Sequence, residues 1–174
     1  MKKDRKWFDI ICGTLVFIAL VLVANKAWGY DENGGRYCLA QNIYFEAGNQ
    51  PFSGKVAVAN VTMNRVDDLQ FPNEICDVVY QTKEWRTSWT GEQIPVRGQC
   101  QFSWFCDGKS DSPKVGASQA FNLCYMLAEL RLNNSDMSIL PNDVYWYHND
   151  SVRPYWASAY SPYATIGDHL FYSD

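Results

Sequence analysis

Between residues 53 and 66 the chain reads SGKVAVANVTMNRV, a stretch whose apolar positions are not confined to one side of a helix. Val56, Ala59 and Met63 form one stripe at three- and four-residue spacing, and Val58 and Val61 widen it. A helix apolar over so much of its circumference belongs in the middle of a core, with Ser53 as its N-cap. Asn60 falls on the side of the Val56 stripe, so its amide requires a partner, either a backbone group or something in a site. Arg65, late in the same helix, is read most simply as a semi-buried donor to a backbone carbonyl or a partner of Asp67 or Asp68.

Just before this helix stands Tyr44-Phe45-Glu46, at the end of a short helix predicted over 38–46 and ahead of a turn at Gly48 and Pro51. A carboxyl beside two rings loses part of its hydration, which raises its pKa towards the range of a general acid. The plain alternative is a solvated glutamate at a helix end.

The N-terminus has a different character. Lys2, Lys3, Arg5 and Lys6 precede an uncharged apolar run over 10–24. Roughly 15 residues is long for a signal-peptide core and short for a spanning helix. Residues 1–29 are therefore read as a signal-anchor or signal peptide, Trp28, Tyr30 and Lys26 supplying an interfacial belt and Ala27-Trp28-Gly29 a cleavage site. Either form places the rest of the chain on the periplasmic side, as a single-pass inner-membrane protein or a secreted one. Residues 30–37 form a linker, and 38–174 form one domain.

Residues 30–174 hold ten basic against seventeen acidic side chains, a net of −7. Such a surface repels phosphate backbones, which argues against nucleic acid as a partner and leaves uncharged glycans open. Aromatic residues make up 16% of the chain, enough both to fill a core and to offer rings for stacking on sugars.

Six cysteines, Cys12, Cys38, Cys76, Cys100, Cys106 and Cys124, show no CxxC spacing, and disulfides in an oxidising compartment are the default. Cys100–Cys106, across a short loop, is the expected bridge. Spacing leaves the remaining connectivity open, with buried free thiols as the alternative for Cys38 and Cys124.

Further along, Phe71-Pro72-Asn73 breaks the chain before a short helix predicted over 74–81. Residues 82–112 show no sustained periodicity and read as a substrate-facing loop region. A scaffold helix is predicted over 112–132, with Ser112 as N-cap and Ala120, Leu123, Leu127 and Leu130 as its apolar stripe. Residues 144–149 read as a strand, and 164–166 and 169–172 as a hairpin turning at Gly167-Asp168.

Four separated blocks now carry a resemblance: YFEAGNQPFSGKVAVANVTMNRV from Tyr44, FPNEICDVVYQ from Phe71, CQFSW from Cys100, and the C-terminal pair YWYHN from Tyr145 and ATIGDHLFY from Ala164. In order and spacing they resemble the SleB/CwlJ-type cell wall hydrolase family over residues 38–172. The resemblance implies an α+β, mainly α, lysozyme-like domain with a small β element, here preceded by an N-terminal apolar helix, that cleaves peptidoglycan glycan strands without a cofactor. The cysteines and the N-terminal segment depart from the shortest family pattern.

By the resemblance Glu46 is the single acid and base of a lytic transglycosylase, which forms a 1,6-anhydro-muramoyl end. A hydrolysing muramidase or glucosaminidase would need a second carboxylate, for which Asp107, Asp143 and Asp168 are the choices. A non-catalytic glycan-binding module is the reading from another class. Gln101, Phe102 and Ser103 match the QFS block and are expected to bind substrate. Strand alternation sends Tyr145, Tyr147 and Asn149 to one face, expected to line the groove, with Trp146 in the core and His148 held structurally. No metal is expected, because His148 and His169 lack a clustered third ligand.

Overall fold

A computed structural model describes residues 34–113 and 119–174. The expected signal or anchor over 1–29, including Cys12, and the first half of the linker lie outside the described residues, and among the described residues no helix is long and apolar enough to cross a membrane.

Helix α1 spans Gly35–Ala47 and α2 spans Phe52–Asp67. The α1 helix starts inside the expected linker because Arg36 is held by tertiary contacts. Its guanidinium lies 4.2 Å from the Tyr125 ring and 3.1 Å from Glu129, both on the later helix α4. At the other end, a Cβ on Gly48 would collide with the Tyr44 carbonyl oxygen, so glycine is required where the chain leaves Glu46.

The α2 helix is central. Val56, Ala57, Val58, Ala59 and Val61 are buried on successive faces, while Met63 is half-buried. The N-cap is Pro51 rather than Ser53: the helix begins at Phe52 with no side-chain cap, and the buried Lys55 ammonium donates to the Gln50 carbonyl instead. Asn60 finds backbone partners, donating to the Met137 carbonyl at 3.3 Å and accepting from the Ile139 amide at 2.7 Å. That is the structural alternative of the two expected for it.

A five-residue α3, Ile75–Val79, is shorter than predicted but buries Val78 and Val79. It is tied to α1 by a Cys38–Cys76 disulfide, so Cys38 is not a free thiol. Closing a loop between residues 38 positions apart, this bridge contributes about 4 kcal/mol by restricting the unfolded chain. Replacing both cysteines with alanine is expected to lower the unfolding free energy by that amount in a urea titration. An unchanged midpoint would show that packing alone holds α1 to α3.

The 82–112 region contains a hairpin that its sequence does not signal, β1 (Trp85–Thr87) against β2 (Gln93–Pro95). Three-residue strands that remain largely exposed leave no alternation to read. A 3-10 turn at Ser103–Cys106 follows, and Cys106 is bridged to Cys100 as expected.

Helix α4 is described over Gln119–Asn133; Ser112 and Pro113 are irregular, and 114–118 lie outside the described residues. Its buried face is Phe121, Cys124, Leu127 and Ala128, with Cys124 a buried free thiol, while Leu123 and Leu130 of the expected stripe are exposed. The helix is rotated from its apolar periodicity because Phe121 packs edge-on to Tyr37 and Tyr44 of α1.

The chain ends in an antiparallel sheet of β3 (Val144–Asn149), β4 (Ser161–Ile166) and β5 (His169–Ser173), in the order β3-β5-β4. The turn falls at Gly167-Asp168, where Gly167 adopts φ +60. Gln50, just ahead of α2, clamps this turn by donating to the Asp168 carboxylate at 3.0 Å and accepting from the Asp168 amide at 3.0 Å. The β3 register slips between Val144 and Trp146, leaving Tyr145 as a bulge residue.

Candidate active site

Glu46 occupies the last turn of α1, where the chain leaves through Gly48. The helix is held in place by a buried polar relay. The Trp104 indole donates to Asn42 at 3.0 Å, Asn42 donates to the Thr62 hydroxyl at 3.0 Å, and Thr62 donates to the Val58 carbonyl at 2.9 Å. Phe45 stacks on Trp104 with centroids 4.6 Å apart. The QFSW segment is thereby fastened to both α1 and α2.

Glu46, Gln101, Phe102, Ser103, Tyr147 and Asn149 come together around one pocket of about 190 Å³. Tyr145 does not join them. The bulge breaks the alternation on which its placement rested, and its ring packs on Phe71 while its hydroxyl donates to Asp68 at 2.8 Å. Trp146, expected in the core, lines a neighbouring cavity of about 460 Å³ and stacks on Tyr160. His148 reaches the smaller pocket but is held by the Asn149 carbonyl and the Tyr172 hydroxyl, both at 2.8 Å.

The carboxyl of Glu46 keeps an opening to the pocket, yet protein surrounds nearly all of it, and this burial pushes its pKa up to about 7. The Tyr147 hydroxyl and the Arg65 charge act in the opposite direction and are outweighed. The rings of Tyr44 and Phe45 pack towards Phe121 and Trp104, and Arg65, Phe102, Tyr147 and His169 line the pocket with Glu46.

Sequence reasoning missed Arg65 and His169 as site residues. Arg65 is 3% exposed and donates Nε and Nη2 to the Tyr145 carbonyl at 3.0 and 2.7 Å. The rings of Phe71, Phe102 and Trp146 surround its guanidinium at 5.0–5.5 Å, and burial lowers its pKa to about 10, so it remains charged at neutral pH. The carbonyl bond expected for it is present, but its Nη1 is buried without an acceptor. A cation in a helix apolar on every side was the available signal, since a buried charge requires a reason. His169 packs edge-on to Tyr147 at 5.1 Å, with its Nδ1 also buried and unpartnered, and burial depresses its pKa. The Tyr147 hydroxyl meets no acceptor in good hydrogen-bond geometry, although it lies near enough to Glu46 to help the carboxylate form. Burial first, and Glu46 second, raise the Tyr147 pKa well above its ordinary value, so it stays a donor.

Among the described residues Glu46 is the only carboxylate on the pocket wall. Asp107 pairs with Lys109 on an exposed loop, Asp168 is engaged by Gln50 in the hairpin turn, and Asp143 lies at the start of β3 near the C-terminus. No three His, Cys, Asp or Glu side chains among the described residues gather to hold a metal ion.

Residues 49–172 match the model of a family described as Cell Wall Hydrolase. The match begins three residues after Glu46. Among curated proteins, the spore cortex-lytic enzyme of Bacillus subtilis (strain 168) is 38% identical over 60 residues, 34% of this chain and 19% of that protein. The enzyme of the same name from Halalkalibacterium halodurans is 38% identical over 57 residues, 33% of this chain and 17% of that protein. The chain thus spans under a fifth of the length of these relatives in the matched region. Among solved structures, the catalytic domain of the germination-specific lytic transglycosylase SleB from Bacillus anthracis superposes with a TM-score of 0.52 at 24% identity. That superposition covers 83% of this chain and 98% of the other, and the two share an α+β fold.

Proposed function

Because the chain belongs to the cell wall hydrolase family, we propose that it cleaves the glycan backbone of peptidoglycan as a lytic transglycosylase, with Glu46 as its single acid and base. The observation that carries this reading is the pocket in which Glu46, partly open to solvent, is the only carboxylate among the described residues and has a pKa of about 7.

A group with that pKa is protonated in a large fraction of molecules at neutral pH and gives up its proton readily. Glu46 delivers the proton to the glycosidic oxygen as the bond from that oxygen to the muramoyl C1 breaks. The carboxylate left behind is favoured by the Arg65 charge and the Tyr147 hydroxyl, both of which lower the Glu46 pKa. It then takes the proton from the C6 hydroxyl of the same sugar as that oxygen bonds to C1. Glu46 ends protonated, and no water is consumed. A hydrolase would instead need a second carboxylate to activate water. Gln101, Ser103 and Asn149 provide polar contacts for the sugar, and Phe102 gives the pocket an apolar floor at 2% exposure. The substrate lies outside the cytoplasmic membrane, and an anchoring or signal role for residues 1–29 is part of the same proposal.

Mass spectrometry of muropeptides released from purified peptidoglycan by the full chain tests it. The expected products end in 1,6-anhydro-muramoyl residues, one water lighter than hydrated reducing ends. Hydrated ends would overturn the transglycosylase mechanism in favour of a muramidase or glucosaminidase. Binding without any release would leave a glycan-binding module.

A further inference from the structure

The cavity of about 460 Å³ beside the Glu46 pocket takes no part in the chemistry above. The two share Arg65, Gln101 and Tyr147 in their walls, so one ligand can occupy both. The remaining wall of the larger cavity is aromatic on one side, with Trp146, Trp156 and Tyr160 in mutual ring contact. Lys83, Gly98, Gln99, Cys100 and Tyr155 complete it.

The charge of this wall is its distinguishing property. It carries two cations, Arg65 and Lys83, and no carboxylate, although acidic residues outnumber basic ones in the chain by 19 to 15. Lys83 forms no ion pair among the described residues. Arg65 keeps one donor, Nη1, buried without an acceptor, and Trp146 Nε1 is a second such donor on a wall residue. A neutral sugar would satisfy the rings but leave the cations unmatched, and a cationic ligand would be repelled. A cavity with donors and positive charge suits an anionic, acceptor-rich ligand continuous with the glycan.

Resting on the proposed glycan cleavage, we infer that this cavity receives the peptide stem of the muramoyl residue, with Lys83 pairing with a stem carboxylate. The stem is the part of the polymer that carries backbone carbonyls and free carboxylates, and it branches from the sugar whose C1 is attacked. Lys83 therefore sets specificity for charged stems and has no part in proton transfer.

The test compares soluble glycan strands carrying native stems with the same strands after conversion of their carboxylates to primary carboxamides, which removes charge at nearly constant shape. For the full chain, KM is expected to be about fivefold lower on the native strands, the size of one solvent-accessible ion pair. This preference should shrink with rising salt. Lys83→Gln should bring the two KM values together, and Lys83→Arg should keep them apart. Equal KM values for the unmodified chain would overturn the inference and give the cavity to another neutral sugar. Should neither strand be cleaved, the glycosidase proposal fails. Tryptophan fluorescence titration of the two strands then decides the charge preference independently, and equal or absent binding refutes it.

Discussion

Glu46→Gln is expected to lose at least about a thousandfold in turnover while still binding glycan strands, because the amide fills the same space and has no proton to deliver. The same substitution should stabilise the fold at neutral pH. A carboxyl whose pKa is about 7 in the folded state and 4.5 in the unfolded chain ionises more easily once unfolded. Below about pH 4 it is neutral in both states and contributes nothing to the pH dependence. Between the two values the unfolded chain releases its proton first, and folding is progressively penalised. Above about pH 7 the penalty is constant, on the order of 3 kcal/mol. The glutamine variant should therefore melt several degrees higher than the parent at pH 8 and no higher at pH 4. Loss of activity with no pH-dependent gain in Tm would show that Glu46 ionises freely, and the shielded-acid account would fail.

Arg65→Met is expected to carry the second largest effect, on both stability and pH dependence. The methionine fills the space among Phe71, Phe102 and Trp146 but cannot donate to the Tyr145 carbonyl, which then has no side-chain donor. A loss of about 2–4 kcal/mol is expected from removing these charged hydrogen bonds. In the parent, activity should fall as pH rises through about 7, where Glu46 loses the proton it must donate. Arg65 holds that pKa down, so its removal should move the alkaline limb of the pH–rate profile to higher pH. A limb that stays in place, in protein shown by its melting curve to be folded, would remove Arg65 from the electrostatics of the site.

The helices were legible where their signal is local. The α2 helix announces itself through apolar residues on nearly every face, and its burial follows from that pattern alone. The end of α1 was legible at Gly48, where the fold admits no side chain, and the C-terminal hairpin was legible in Gly167-Asp168, where Gly167 takes a positive φ. Less of α4 could be read, because two apolar stripes compete on it. The contact of Phe121 with Tyr37 and Tyr44 selected one, leaving Leu123 and Leu130 exposed.

The site divides along the same line. Residue type and local order were enough to single out Glu46, because its chemistry travels with the side chain, whereas Gln101, Phe102 and Ser103 entered through the resemblance of their segment to the family's QFS block. The placement of Tyr145 and Trp146 required the tertiary structure. A single bulge residue reverses which face a strand side chain takes, and bulges arise from pairing with a partner strand that local sequence does not specify. Arg65 shows the other limit. Its sequence neighbours mark it as buried, but only the folded chain brings it from the end of α2 to the wall shared by two cavities, because the Tyr145 carbonyl that anchors it lies 80 residues away. The sequence by itself marked Glu46 as the candidate acid and α2 as the central helix, through local composition and periodicity. Which groups share a pocket, and how far burial raises the Glu46 pKa, were decided by tertiary packing, since both depend on atoms contributed by distant parts of the chain.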